Sequence, residues 1–333
     1  MEISVIITSY ILYAASAKLR SNQMESQQYQ FTYETKPKKW HVILKAIIIP
    51  VIAVLAWYVL NYVVQFAAAY IFASLTAARN PGADIDELAQ KFYEMYDRNV
   101  SLLYIIFAAL FILLFILLQK MTHFTRTIDI STRKLGVKSG ITAFAIGTFV
   151  GVFFNIFIAI LSQYLPQSWV DGNAESVGAF DGGSQALMII ATVICAPIVE
   201  EIIFRGCMYN AIKKIITTVP RTVTRRVHIA AILVSTVITS TAFGVFHGNI
   251  LQAIYAGVLS LFMIWIYEQT GSLISNVLFH AAFNFSGFAT SYMAEYLGYI
   301  IALLVSAMLT VVLMMAEHSY CQRKNSFVYE DVK

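Results

Sequence analysis

Charge is what this sequence of 333 residues has least of. Aspartate, glutamate, lysine and arginine make up 13% of it, while 59% is apolar or aromatic. An ordinary soluble domain carries about twice that share of charge. With a mean hydropathy of +0.69, the chain cannot cover a water-facing surface. That excludes an ordinary soluble enzyme, a disordered tail and a coiled coil. Cysteine is scarce too: Cys195, Cys207 and Cys321 form neither a metal-ligand spacing nor a disulfide framework. The net charge is only +4 and sits in particular loops, so it orients spans and implies no nucleic-acid partner. No internal repeat or low-complexity tract is visible.

What is present is a series of apolar runs, at about 44–74, 101–118, 140–165, 184–204, 229–247, 250–267, 272–288 and 298–316. Read as helices of about 20 residues each, they predict an all-α, polytopic integral membrane bundle of about eight transmembrane helices. Pro50 predicts a kink or tilt in the first, and Asn80-Pro81-Gly82 and Asp181-Gly182-Gly183 mark turns. The short apolar stretch at 3–17 ends in Ala15-Ser16-Ala17, which is similar to a signal-peptidase site. It begins Met1-Glu2 without a basic residue, and Lys18 and Arg20 follow it, so it reads as an uncleaved interfacial or marginally spanning helix. The chain divides into this helix with a polar cytoplasmic segment (1–40), N-terminal transmembrane helices (41–183), a core (184–290), and a last transmembrane helix with a cytoplasmic tail (291–333).

Loop charges orient the spans. Basic residues gather at 17–40, 119–139 and 205–228, whereas the loops around Asp84–Asp97 and 166–183 are acidic. The alternation puts 17–40, 205–228 and, over eight spans, the tail with Arg323 and Lys324 in the cytoplasm.

Ionisable residues inside a span are costly and are functional candidates by default. They cluster in three places: Pro197-Ile198-Val199-Glu200-Glu201-Ile202-Ile203-Phe204-Arg205, Phe243-Gly244-Val245-Phe246-His247, and His280-Ala281-Ala282-Phe283-Asn284. Glu201 and Arg205 are four residues apart, share a helix face and can pair. Glu200 is rotated by about 100° from Glu201 and has no built-in counter-ion. Pro197 predicts a kink just before the pair that could admit water. Glu200, His247, His280 and Asn284 are then left without local partners. Such a set can activate water and stabilise an oxyanion, or hold a divalent metal through Glu200, His247 and His280. Singly, each of these residues has an ordinary explanation: an ion pair for Glu201 and Arg205, a packed transmembrane histidine, an asparagine tying two helices. Three helices carrying the set within about 85 residues make the ordinary explanations insufficient together.

Glu-Glu-x-x-x-Arg, Phe-x-x-x-His and His-x-x-x-Asn, in this order on successive apolar helices, resemble the CPBP family of intramembrane proteases. That family includes the type II CAAX prenyl endopeptidases and the bacteriocin-processing and immunity-type (Abi) proteins. The likeness spans about 184–290 and includes Tyr267-Glu268-Gln269-Thr270-Gly271-Ser272-Leu273. It implies Glu200 as the base that activates water with His247 assisting, His280 and Asn284 as stabilisers of the oxyanion, and Glu201 and Arg205 as supporting residues. It also implies a membrane-anchored peptide or protein substrate, and a multi-pass protein of a bacterial cell membrane. Zinc and a metal-free, glutamate-activated water both stay open as accounts of the chemistry. His-Glu-x-x-His and Gly-x-Ser-Gly are both absent, which removes two other intramembrane protease classes. The alternatives are a non-catalytic membrane immunity or regulatory protein that keeps the fold, and a proton-coupled transporter.

Helix rise places Glu200 about 20 Å from Lys213 and His247 about 31 Å from Arg226. Equal depth then requires the span bearing His247 to start near Ile232, with 217–230 along the interface. His280, about 14 Å from Gly271, predicts a cavity open to the cytoplasm. The orientation is checked by cysteine labelling in intact cells. A cysteine at Ala83 should react with an impermeant maleimide from outside, and one at Arg225 only after permeabilisation; the reverse pattern inverts every span.

Overall fold

The computed structural model describes residues 39–128, 130, 135–220, 222–290 and 296–330; the expected helix at 3–17 lies outside them. The described elements are helices: α1 (Lys39–Arg79), α2 (Ile85–Thr122), α3 (Phe124–Thr127), α4 (Val137–Leu161), α5 (Gln167–Gly178), α6 (Gln185–Thr218), α7 (Arg225–Phe246), α8 (Ile250–Thr270), α9 (Leu273–Thr290) and α10 (Tyr296–Glu330). Long helices are what an apolar chain must form in lipid, where backbone groups have only each other as partners. Seven of them are long and apolar enough to cross a membrane: α1, α2, α4, α6, α7, α8 and α10. The polytopic all-α membrane bundle is therefore as expected. The run at 272–288 forms α9, of 18 residues, which is not among those seven because asparagines, serines and a histidine interrupt its apolar surface.

Helix ends follow local side-chain chemistry. Asp84 accepts a hydrogen bond from the Glu87 N–H at 2.9 Å and opens α2. Thr224 does the same for Val227 at α7, and Asn249 for Gln252 at α8. Gly271, with φ of +62°, ends α8 in the left-handed region that favours glycine. Thr224 fixes the start of α7 at Arg225, not near Ile232, while α6 continues to Thr218. The anticipated interfacial stretch at 217–230 is thus the end of α6, a turn and the first turns of α7. The acidic segment at 166–183 also carries a helix of its own, α5.

Helix α6 is not uniform. It is π-helical over Ile190–Cys195 and again over Ile202–Tyr209, with an α-helical piece, Ala196–Glu201, between. Pro197 lies in that middle piece, inside the continuous helix, where its missing N–H removes one backbone bond beside the first π-helical stretch.

Two apolar cores flank α6 and α9. One joins α1 and α2 to α6 and α7 through Phe107, Phe111, Val199, Ile203, Phe204 and Phe243. The other joins α4, α8 and α9 through Ile146, Val150, Phe154, Met263, Phe279 and Phe283. Helices α4 and α9 touch backbone to backbone. A Cβ on Gly147 would run into the Phe279 carbonyl, and one on Gly151 into the Ser286 hydroxyl. Asn155 locks the pair by donating to the Ser286 hydroxyl at 3.1 Å, the small-residue and polar contact typical of membrane helices. Replacing Gly151 with valine should lower stability by about 1–3 kcal/mol or more through overpacking, measured as the unfolding midpoint of the purified protein in detergent. A midpoint equal to the parent's would show that the two helices can separate without loss.

Candidate active site

The site is built on three helices: Glu200, Glu201 and Arg205 on α6, Phe243 and His247 at the end of α7, and Asn276, His280 and Asn284 on α9. Glu201 and Arg205 are completely buried, and the Arg205 Nη1 donates to Glu201 Oε1 at 2.8 Å. The same Oε1 accepts from His280 Nδ1 at 3.0 Å, and Glu201 Oε2 accepts from Asn276 Nδ2 at 3.3 Å. Glu201 therefore does more than pair within its own helix: it ties α9 to α6. The guanidinium lies over the Phe243 ring, 4.4 Å from its centroid, a cation–π contact strengthened by the absence of water.

Glu200 takes a different environment, as the rotation between adjacent helical residues requires. Its Oε2 is buried, has no hydrogen-bond partner and lies 3.8 Å from His280 Nε2. That is too long for a direct hydrogen bond and is the spacing at which a bridging water should be considered. The ionised Glu201 can only accept, so the His280 Nδ1 must carry its proton, and a neutral His280 presents Nε2 with a lone pair.

His247 caps α7 and is half-buried. Its Nδ1 faces the Phe243 carbonyl at 2.8 Å. A carbonyl also only accepts, so His247 too is held with Nε2 available. The Phe243 ring stands edge-on to both imidazoles, 4.9 Å from His247 and 5.9 Å from His280 between centroids. Asn284 donates to the Thr192 carbonyl at 2.8 Å. Thr192 lies in the first π-helical stretch. In the second, the carbonyls of Arg205 and Gly206 accept from Asn210. Both irregular stretches thus expose backbone acceptors to side chains, a common use of π-helical turns near functional sites.

The structure brings Glu200 and His280 together and places His247 across the Phe243 ring from His280. Of the four residues expected to lack partners, only Glu200 has an unsatisfied side-chain oxygen; His247, His280 and Asn284 are each held by an acceptor. Two residues escaped the sequence reading. Asn276 is completely buried, and its only advance signal is its place one turn before His280. Tyr104 of α2 lies within electrostatic reach of Glu200 and is wedged edge-on between Phe107 and Phe180 at 5.4 and 5.3 Å.

Glu200, His247 and His280 were the candidate metal ligands. Among the described residues no group of three His, Cys, Asp or Glu side chains comes together as a metal ion requires. The donor set does not fit a three-ligand centre.

A cluster of glutamates, histidines and an asparagine between membrane helices is a set of groups that can hold and polarise a water. Residues 182–286 match the family model described as type II CAAX prenyl endopeptidase Rce1-like, so this region is similar to CAAX-type membrane proteases. No curated protein and no solved structure matches the chain. The matched region contains every motif residue; α1, α2, α4 and α10 lie outside it.

The Glu201–Arg205 pair has a direct energetic test. Arg205→Ala would strand a buried carboxylate, at a cost of about 3–5 kcal/mol. Adding Glu201→Ala should recover part of that loss. Unfolding midpoints in detergent measure both, and strictly additive losses would show that the two charges are uncoupled.

Proposed function

We propose that the protein is an intramembrane endopeptidase that hydrolyses a peptide bond of a membrane-associated, CAAX-type or otherwise lipid-anchored substrate with a water activated by Glu200. A bacterial cell membrane is the setting suggested by the resemblance to bacteriocin-processing proteins. The observation that carries this reading is the 3.8 Å gap between Glu200 Oε2, which has no other partner, and His280 Nε2. Both atoms are acceptors when Glu200 is ionised and His280 neutral, and a water between them can donate one hydrogen to each.

In this mechanism the water oxygen attacks the substrate carbonyl carbon while one of its protons passes to Glu200. The tetrahedral intermediate then collapses, the C–N bond breaks, and the proton held by Glu200 goes to the leaving amine. Products are a carboxylic acid and an amine, so atoms balance without a co-reactant. Asn284 spends one amide hydrogen on Thr192 and can turn the other to the developing oxyanion. His280 Nε2 accepts the water's other hydrogen and so holds the nucleophile in line. His247, fixed by the Phe243 carbonyl, offers Nε2 as an acceptor for an N–H of the leaving amine. Preorganised groups of this kind act strongly because the apolar surroundings do not screen them.

Glu200→Gln keeps size and polarity but removes the base. Cleavage of vesicle-anchored, prenylated peptides by the purified variant should fall by about 10²–10⁴-fold, read by mass spectrometry of the released tripeptide. Unchanged cleavage would remove Glu200 from the mechanism.

A further inference from the structure

Three buried polar atoms around Glu201 are left without partners: Arg205 Nε, Arg205 Nη2 and Asn276 Oδ1. The first two are unexpected. An arginine beside a carboxylate normally uses its planar fork for two parallel hydrogen bonds, and each buried N–H left unmatched costs free energy. Here Arg205 uses Nη1 alone, on Glu201 Oε1, although the two side chains are completely buried and one helical turn apart. Something holds the carboxylate away from the fork. The group on its other oxygen is Asn276 Nδ2, at 3.3 Å.

We infer that Asn276 is a positioning residue that withholds Glu201 Oε2 from Arg205, so that Oε1 is shared between Arg205 and His280. Without the amide, the carboxylate is free to rotate until both oxygens face the guanidinium. That satisfies Arg205 Nε or Nη2 and withdraws the acceptor from His280 Nδ1. The imidazole would then lose the group that fixes its tautomer and its plane, and with them the aim of Nε2 at Glu200. Asn276 lies one turn from His280 on the buried face of α9, which puts the control on the same rigid element as the imidazole it controls. The two unmatched guanidinium nitrogens are the stability given up to keep Glu201 in service to histidine, a local violation of the kind expected at functional sites.

The consequence for turnover rests on the protease reading, but the consequence for His280 does not, and the two are measured separately. Imidazole ¹⁵N shifts of His280, assigned by their loss in His280→Gln, report the tautomer in labelled protein in detergent. The parent should show protonated Nδ1. Asn276→Ala should lose that majority form, and an unchanged His280 spectrum would overturn the inference whether or not any peptide is cleaved. In the cleavage assay Asn276→Ala should lower kcat by about 10–100-fold, the usual scale for a group that orients a functional histidine, with KM changed by less than about twofold. Lysine has no fork, so in an Arg205→Lys background the same Asn276→Ala change should cost less than about threefold in kcat. A parallel loss in both backgrounds, or an Asn276→Ala protein that does not fold, would instead make Asn276 a packing residue and overturn the proposal. If the parent cleaves nothing while the ¹⁵N result holds, the protease reading fails and the positioning role stands.

Discussion

A single buried carboxylate organises the polar cluster between α6 and α9. Glu201 has no water to solvate it and needs partners strong enough to keep a charge inside a membrane bundle. It finds one in its own helix and two on α9. Arg205 supplies the opposite charge, His280 a ring N–H and Asn276 an amide. Because those donors come from different helices, satisfying the charge also fixes α9 against α6. The depth and rotation of His280 then follow from electrostatics as much as from packing. Phe243 extends the arrangement to α7, since its ring lies under the guanidinium and edge-on to both histidines.

Two adjacent glutamates in one helix would ordinarily be redundant. Here 3.6-residue geometry gives them opposite fates. One is paired with an arginine; the other keeps an oxygen with no hydrogen-bond partner among the described residues. On the proposed mechanism, that contrast is what would leave Glu200 free to act as a base. The π-helical stretches on either side of the pair extend this division. They present carbonyls to Asn284 of α9 and to Asn210 of α6 itself, so α6 meets α9 through its backbone as well as its side chains.

The fold class was legible in the sequence because long apolar runs leave a chain few options in lipid. The Glu201–Arg205 pairing and the separate orientation of Glu200 followed from helical spacing alone. The partner of His280 did not. That bond depends on how α9 rotates against α6, and no local pattern encodes it. The π-helical turns were hidden for a related reason: they are a response to tertiary contacts, and Pro197 suggested a kink where a widened turn is found. The early start of α7 was missed because depth was argued from straight helices. Asn276 looked like any amide on an apolar helix until its neighbour across the interface was known.

The contact between α4 and α9 has a consequence for what counts as the functional unit. Gly147 and Gly151 let the backbone of α4 lie directly behind the helix that bears Asn276, His280 and Asn284. With no Cβ on α4 at these two crossing points, α9 has little room to shift or turn. A fragment cut to residues 182–286 would hold every motif residue yet leave its most polar helix facing lipid where α4 now lies. Helix α4, outside the matched region, is therefore part of the mould that holds Asn276, His280 and Asn284 in place.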